Sequence, residues 1–183
     1  MAPTGQLTGP AVQTLLTDGT LAGNWTLDSS RSTVGLRSKS MWGLAPVKGT
    51  FREVSGTGTV SAAGEVSGTL TLAAASVDTK NSKRDTHLRS ADFFDSDNHP
   101  GITFSVTGVR PSDQGITVSG ALTVRDRTRP LSLEATASVL ETGEVRLDGE
   151  VRVNRADFGL TWNQMGMASM DNTITIHAVF THD

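Results

Sequence analysis

Residues 144–155 alternate without a break. Val145, Leu147, Gly149, Val151 and Val153 fall on one face of an extended chain, and Glu144, Arg146, Asp148, Glu150 and Arg152 fall on the other. A helix would scatter these charges around its circumference, whereas a strand separates the two sets completely. The same period of two runs through Leu131, Leu133, Ala135, Ala137 and Val139, and through Ile116, Val118, Gly120, Leu122 and Val124. It returns at Ile174, Ile176, Ala178 and Phe180, and further strands are predicted at 24–30, 32–41, 47–54, 57–63, 65–78 and 101–109. A chain dominated by this period folds as sheet with one buried face.

The connections are short. Thr142-Gly143 reads as a hairpin turn, Ala63-Gly64 and Asp113-Gln114-Gly115 mark two more, and Arg125 to Pro130 reads as a polar connection ending in a proline that starts the next strand. Parallel neighbours need crossovers of about a dozen residues or more, so these strands must be antiparallel. Only 80–99 breaks the rhythm. Asn81 or Ser82 can cap one short helix through Leu88 and Arg89, with Asp92-Phe93-Phe94-Asp95 after it. At the N-terminus, Ala11 to Leu16 allow a helical turn too short to stand alone, so 1–23 reads as a peripheral segment and 24–183 as one β domain.

Composition narrows the class. Twenty-five Thr and 19 Gly in 183 residues suit strands and tight turns. The absence of cysteine excludes disulfides and thiolate chemistry, and a net charge of −3 argues against nucleic acid as a partner. No apolar run is long enough to span a bilayer as a helix. The first basic residue is Arg31 and the longest early apolar run is Leu15-Leu16, so the expected location is cytoplasmic, or periplasmic or secreted if a leader has been removed.

Eight or so antiparallel strands can close as a barrel or stack as a sandwich. Many inward positions are small, among them Ser38, Ser40, Ala74, Gly120, Ala135, Ala137 and Gly149, and the chain has nine aromatics. A small barrel lined this way is underfilled unless larger residues across the sheet occupy the gaps, and eight strands are about enough to hold one small ligand.

Residues 76–95, with Asn81, Arg84, Asp85, His87, Leu88, Arg89 and the Asp92-Phe93-Phe94-Asp95 run, resemble the signature of the YceI-like family. His99-Pro100-Gly101-Ile102-Thr103-Phe104 continues the match. Trp25-Thr26-Leu27-Asp28, Val47-Lys48-Gly49-Thr50-Phe51, Gly120 to Val124 with Thr128-Arg129-Pro130, and Arg155 to Leu160 follow in the family's order. The resemblance implies an all-β, lipocalin-like antiparallel barrel that takes a polyisoprenoid or other long-chain amphiphilic lipid into its interior, without catalysis and without a cofactor. Ser40 stands where the family often has a histidine, which bears on head-group contact and not on the fold.

With strand parity, the resemblance puts Leu36, Phe51, Leu70, Leu72, Phe104, Leu122 and Leu133 on the ligand's tail, and Ser38 and Ser40 at its head. Phe93 and Phe94 are expected at the barrel mouth. The 162–172 segment, rich in methionine, reads as a lid, with Trp162 and Met165 or Met167 closing over the lipid or over a partner subunit in a homodimer.

Other motifs favour bland roles. Arg84, Asp85 and His87 could serve an enzyme or isomerase, but neither nucleophile nor metal accompanies them, and the expected role is structural, with Asp85 tied to an arginine. His87, His99, His177 and His182 have no metal-ligand spacing, and His177 falls on the polar face. Arg125, Arg127 and Arg129 make a basic turn that reads as solvated rather than phosphate-binding. A packed barrel serving as a protein-interaction module is the remaining alternative.

Overall fold

A computed structural model describes residues 4–113 and 115–183. In chain order the elements are β1 (Gly5–Gln6), α1 (Gly9–Thr17), β2 (Gly23–Leu27), β3 (Thr33–Ser40), β4 (Ala45–Phe51), β5 (Val54–Val60) and β6 (Val66–Ala73). There follow β7 (Val77–Asp78), α2 (Ser82–Arg89), β8 (Gly101–Ser112), β9 (Gly115–Val124), β10 (Arg127–Val139), β11 (Val145–Asn154) and β12 (Asp171–His182).

Neighbouring strands run β2–β5–β6–β8–β9–β10–β11–β12, and β12 pairs back onto β2, closing an eight-stranded antiparallel barrel. Closure pairs each wall strand on both sides over part of its length and sends alternate side chains into one lumen. The alternation of 144–155 is realised along the whole length of β11, with Val145 opposite Phe180 and Val153 opposite Asn172.

One device flares the barrel at one end. Asp28 caps a 3-10 turn at Ser29–Arg31, accepting from the Ser30 amide at 3.0 Å. The buried Ser32 hydroxyl then donates to the Asp28 carbonyl (2.7 Å) and accepts from the Val179 amide (3.0 Å), replacing ladder bonds across the break. β12 therefore pairs with β2 at its C-terminal end and with β3 nearer its start. The β3–β4 hairpin, with β7 on its outer edge, splays from the barrel, and α2 with the 90–99 segment packs into the opening.

The opposite end is closed by α1. Thr8 caps it through the Ala11 amide (3.3 Å), Pro10 occupies the first turn, and Val12, Leu15 and Leu16 bury one face at i, i+3 and i+4 spacing. β1 adds to β10, and Gly9 lies so near β8 that a Cβ there would stand 2.5 Å from the Ser112 carbonyl oxygen. Residues 5–17 thus pack against the barrel end. The helix is too short to persist alone, but the barrel end supplies the apolar surface that holds it. The domain thus has two α-helices rather than one.

The 125–130 connection is also corrected. Arg125 and Asp126 alone make the turn, with Arg125 left-handed at φ 57°, and β10 begins at Arg127 with Pro130 opposite Ala121. A proline is tolerated there because β10 gains its second neighbour only from Glu134 onward, leaving that edge free. In the turn at 113–115, Gln114 lies outside the described residues.

A candidate ligand-binding lumen

The barrel interior is not filled. A cavity of about 320 Å³ lies at the α2 end, and a second of about 200 Å³ lies at the α1 end, against Val12, Leu16 and Trp25. Leu70, Phe104, Leu133 and Ile176 line both and form a waist between them. Two of the small inward residues are filled over as the bland reading of the gaps required. A Cβ on Gly120 would stand 2.9 Å from Phe104 Cζ, and one on Gly149 would stand 2.8 Å from Leu133 Cδ1. The glycines let these two large side chains fold across the lumen and make the waist. Elsewhere the small residues leave space.

The larger cavity has one polar corner. Arg155 is buried, and its guanidinium donates to three carbonyls, those of Ser169 (3.0 Å), Leu160 (2.7 Å) and Trp162 (2.8 Å). Its second terminal nitrogen, Nη2, is buried with no hydrogen-bond partner among the described residues. Burial lowers the Arg155 pKa, since desolvation penalises the charged form, yet an arginine stays protonated in proteins. Arg155 lines the cavity, but its unpaired Nη2 is enclosed by protein atoms, and a buried charged donor without a partner is costly. Phe93 lies under the guanidinium at 5.5 Å, and His87 meets Trp162 edge to face at 4.2 Å. His87 Nε2 is 2.9 Å from Asp92 Oδ2, and Arg84 reaches the same cavity.

Leu36, Phe51, Leu72, Leu122, Leu70, Phe104 and Leu133 line this cavity on the strands that carry them, with Ser38 and Ser40 near its mouth. Phe93 and Phe94 divide their roles: Phe94 packs edge to face on Phe51 (5.8 Å), while Phe93 lies under the 162–172 segment. Trp162 lines the cavity as well, but Met165 and Met167 do not. The Asn163 side chain both donates to the Ala168 carbonyl and accepts from the Ala168 amide, each at 2.8 Å. That clamp everts the intervening turn, where Met165 and Gly166 are left-handed (φ 55° and 68°), and Met165 is 75% exposed. Ala168, Ser169 and Asn172 take the lining places instead.

Two side chains, Asp85 and Arg125, differ in partner from expectation. Asp85 is buried but meets no arginine; it accepts from the Thr79 amide (2.9 Å) and hydroxyl (2.6 Å), tying α2 to the end of β7. Arg89 makes the second tie through the carbonyls of Ala75 (2.9 Å) and Val77 (3.3 Å). Arg125 is no solvated turn residue, because its Nη1 donates to the carbonyls of Ala91 (3.2 Å) and Phe93 (3.3 Å). His177 does lie on the outer face, where its Nδ1 bonds Asp148 across the β11–β12 ladder.

Residues 25–181 match the model of the YceI-like domain. The chain belongs to the YceI-like family. Protein YceI of Escherichia coli O17:K52:H18 is 38% identical over 97 residues, which is 51% of this chain and 50% of that protein. The chain thus aligns with about half the length of that YceI relative. Protein YceI of Salmonella arizonae is 30% identical over 145 residues, 73% of each. Among solved structures, Burkholderia cenocepacia BcnA superposes with a TM-score of 0.73 at 22% identity, covering 84% of this chain and 98% of that one. A polyisoprenoid binding domain from Saccharophagus degradans, implicated in plant cell wall breakdown, gives 0.70 at 18% identity over 87% and 98%. These likenesses show the YceI-like barrel fold. The N-terminal closure by β1 and α1 lies outside the matched residues.

Arg155 is the residue that sequence reasoning missed as a site candidate. Its signal was present, because 155 continues the inward parity of Val145 through Val153 and is the one charge in that register. His87 and Arg84 were legible only as helix residues; their place on the cavity depends on how α2 docks.

Proposed function

We propose that this protein binds a long-chain amphiphilic lipid, a polyisoprenoid or a relative of one, and holds it without chemical change. The tail would occupy the larger cavity and extend past the waist toward α1. The head would lie at Arg155, with Ser38, Ser40, His87 and Arg84 around it. The observation that carries the reading is an unfilled apolar lumen with the buried Arg155 on its wall. Apolar burial drives such binding at about 25 cal/mol per Å², and the few polar groups fix orientation. The likeness to a polyisoprenoid binding domain supports the same ligand class.

His87, on the cavity wall and bonded to Asp92, supports a second reading, a proton-transfer isomerase on a hydrophobic substrate. A single experiment separates them. Solvent extraction of the purified protein followed by mass spectrometry should recover a stoichiometric lipid, unchanged in mass and isomeric form after prolonged incubation. Leu122→Arg or Leu133→Arg should empty the lumen while circular dichroism still shows the barrel. Arg155→Met should weaken uptake about tenfold for lipids with a phosphate or carbonyl head and spare plain hydrocarbons. Folded Leu122→Arg protein carrying lipid at full occupancy would remove the luminal reading.

A further inference from the structure

We infer that the open end of the barrel is a docking surface for an anionic lipid bilayer, from which ligand enters the larger cavity without crossing water. The inference rests on the luminal lipid reading for its purpose, but on separate residues for its evidence. Two loops meet at this end: the Ser40–Met41–Trp42–Gly43–Leu44 tip of the β3–β4 hairpin and the everted turn around Met165. Their backbones are joined, with the Trp42 amide donating to the Met167 carbonyl (3.1 Å) and the Ser169 amide donating to the Lys39 carbonyl (2.9 Å). Together they form one surface, continuous with the cavity through Ser38, Ser40, Ala168 and Ser169.

That surface is apolar where a soluble loop should be polar. Leu44 is 83% exposed, Trp42 65% and Met41 54%, and Met165, on the adjoining turn, 75%. Met41, Trp42 and Met165 all have left-handed backbones (φ 51°, 54° and 55°), a conformation that bulky side chains rarely adopt. Residues 40–47 and 158–170 hold no charge at all. Behind the tip, the hairpin carries Arg37, Lys39 and Lys48 and no acidic residue from 29 to 52, in a chain whose net charge is −3. Glu150 is engaged by Arg37 (2.9 Å), and Lys39 and Lys48 are exposed without an ion pair among the described residues. Asp157 and Asp171 flank the second loop and are the acids nearest the patch in sequence.

An interfacial tryptophan with methionine and leucine at the tip and lysines set back by a few residues matches the layering of a bilayer surface. The apolar tip enters the headgroup–acyl boundary while the lysines reach anionic phosphates. A second copy of the chain fits less well, since a symmetric contact would bring Lys39 and Lys48 of both subunits toward one seam.

The test is flotation of delipidated protein with vesicles of phosphatidylcholine and phosphatidylglycerol in equal parts, against phosphatidylcholine alone. The protein should float with the mixed vesicles, less so in high salt, with tryptophan emission quenched by brominated acyl chains. Trp42→Ser combined with Leu44→Ser should weaken partitioning about tenfold. Neither residue lines the cavity, so that variant should still take up an isoprenoid alcohol from detergent micelles as the wild type does. Lys48→Glu should weaken flotation without removing the apolar tip. Equal flotation by wild type and the double variant overturns the inference. So does wild-type protein that ignores vesicles, including the case where it is a dimer that the double variant dissociates. Protein that floats normally but never takes up isoprenoid leaves the docking surface standing and removes the luminal reading instead.

Discussion

The Phe104 ring covers Gly120 across the β8–β9 ladder, so closely that a Cβ on the glycine would stand 2.9 Å from Cζ and 2.2 Å from the Ser105 carbonyl oxygen. The absence of a side chain at 120 is what lets the ring turn inward and divide the lumen. Gly120→Ala should therefore cost about 1–3 kcal/mol in denaturant melts, because both neighbours must move. Phe104→Ala should cost about 3 kcal/mol, yet join the two cavities. In a competition between short and long isoprenoids read by mass spectrometry, the Phe104→Ala protein should shift toward the longer chains.

Asp85 and Thr79 give a second prediction. Asp85→Ala leaves the buried Thr79 amide without an acceptor, and should destabilise by about 3 kcal/mol. Asp85→Asn keeps an acceptor oxygen and should lose less than half of that. Equal losses in urea unfolding would mean that charge, rather than hydrogen bonding, holds α2 in place.

Arg155 should matter to the loop as well as to the ligand. Its three carbonyl contacts hold 160–169 against the barrel, so Arg155→Met should cost about 2–3 kcal/mol and speed hydrogen exchange at the Leu160 and Ser169 amides. Arg155→Lys retains the charge but cannot reach three divergent acceptors, so exchange should rise there too.

Acid should destabilise the fold as its hydrogen-bonded carboxylates take up protons. Asp78 is held down to about 2 by the Lys80 amide and by the Arg52 and Lys80 side chains, and Asp28 is held at about 2 by Ser30 and Arg31. Both carboxylates are favoured as anions in the folded state. Their contribution is complete above the unfolded value of about 3.9 and is lost as pH falls through the folded value near 2. Urea midpoints should be flat above about pH 4.5 and decline below about pH 4, less steeply in Asp78→Asn and less steeply in high salt.

Much of the fold was legible along the chain. The alternation in 116–124, 131–139, 144–155 and 174–180 specifies which side chains face inward, because a strand reverses its side chains at every residue. Short turns then force antiparallel neighbours, and the 76–104 motif points to the family. Leu36, Ser38, Ser40, Phe51, Leu70, Leu72, Phe104, Leu122 and Leu133 line the larger cavity for this reason, and Phe93, Phe94 and Trp162 join them from outside the strands.

Periodicity assigns a face but not what lies opposite it. That Phe104 and Leu133 would occupy the space left by Gly120 and Gly149 depends on strands brought together by closure. Closure also stabilises α1: its Val12, Leu15 and Leu16 have value only against a barrel end that other segments build. Asp85 found Thr79 rather than an arginine because α2 docks across β7, a placement no local spacing encodes. Met165 points outward because Asn163 bonds Ala168, five residues on, and turns the chain between them. Local pattern specifies the main strands, their inward faces and the family, but not the Ala74–Ser76 turn that splits 65–78 into β6 and β7, nor β1. How the lumen is divided and which groups line it follow from closure of the barrel, since those depend on contacts between residues distant along the chain.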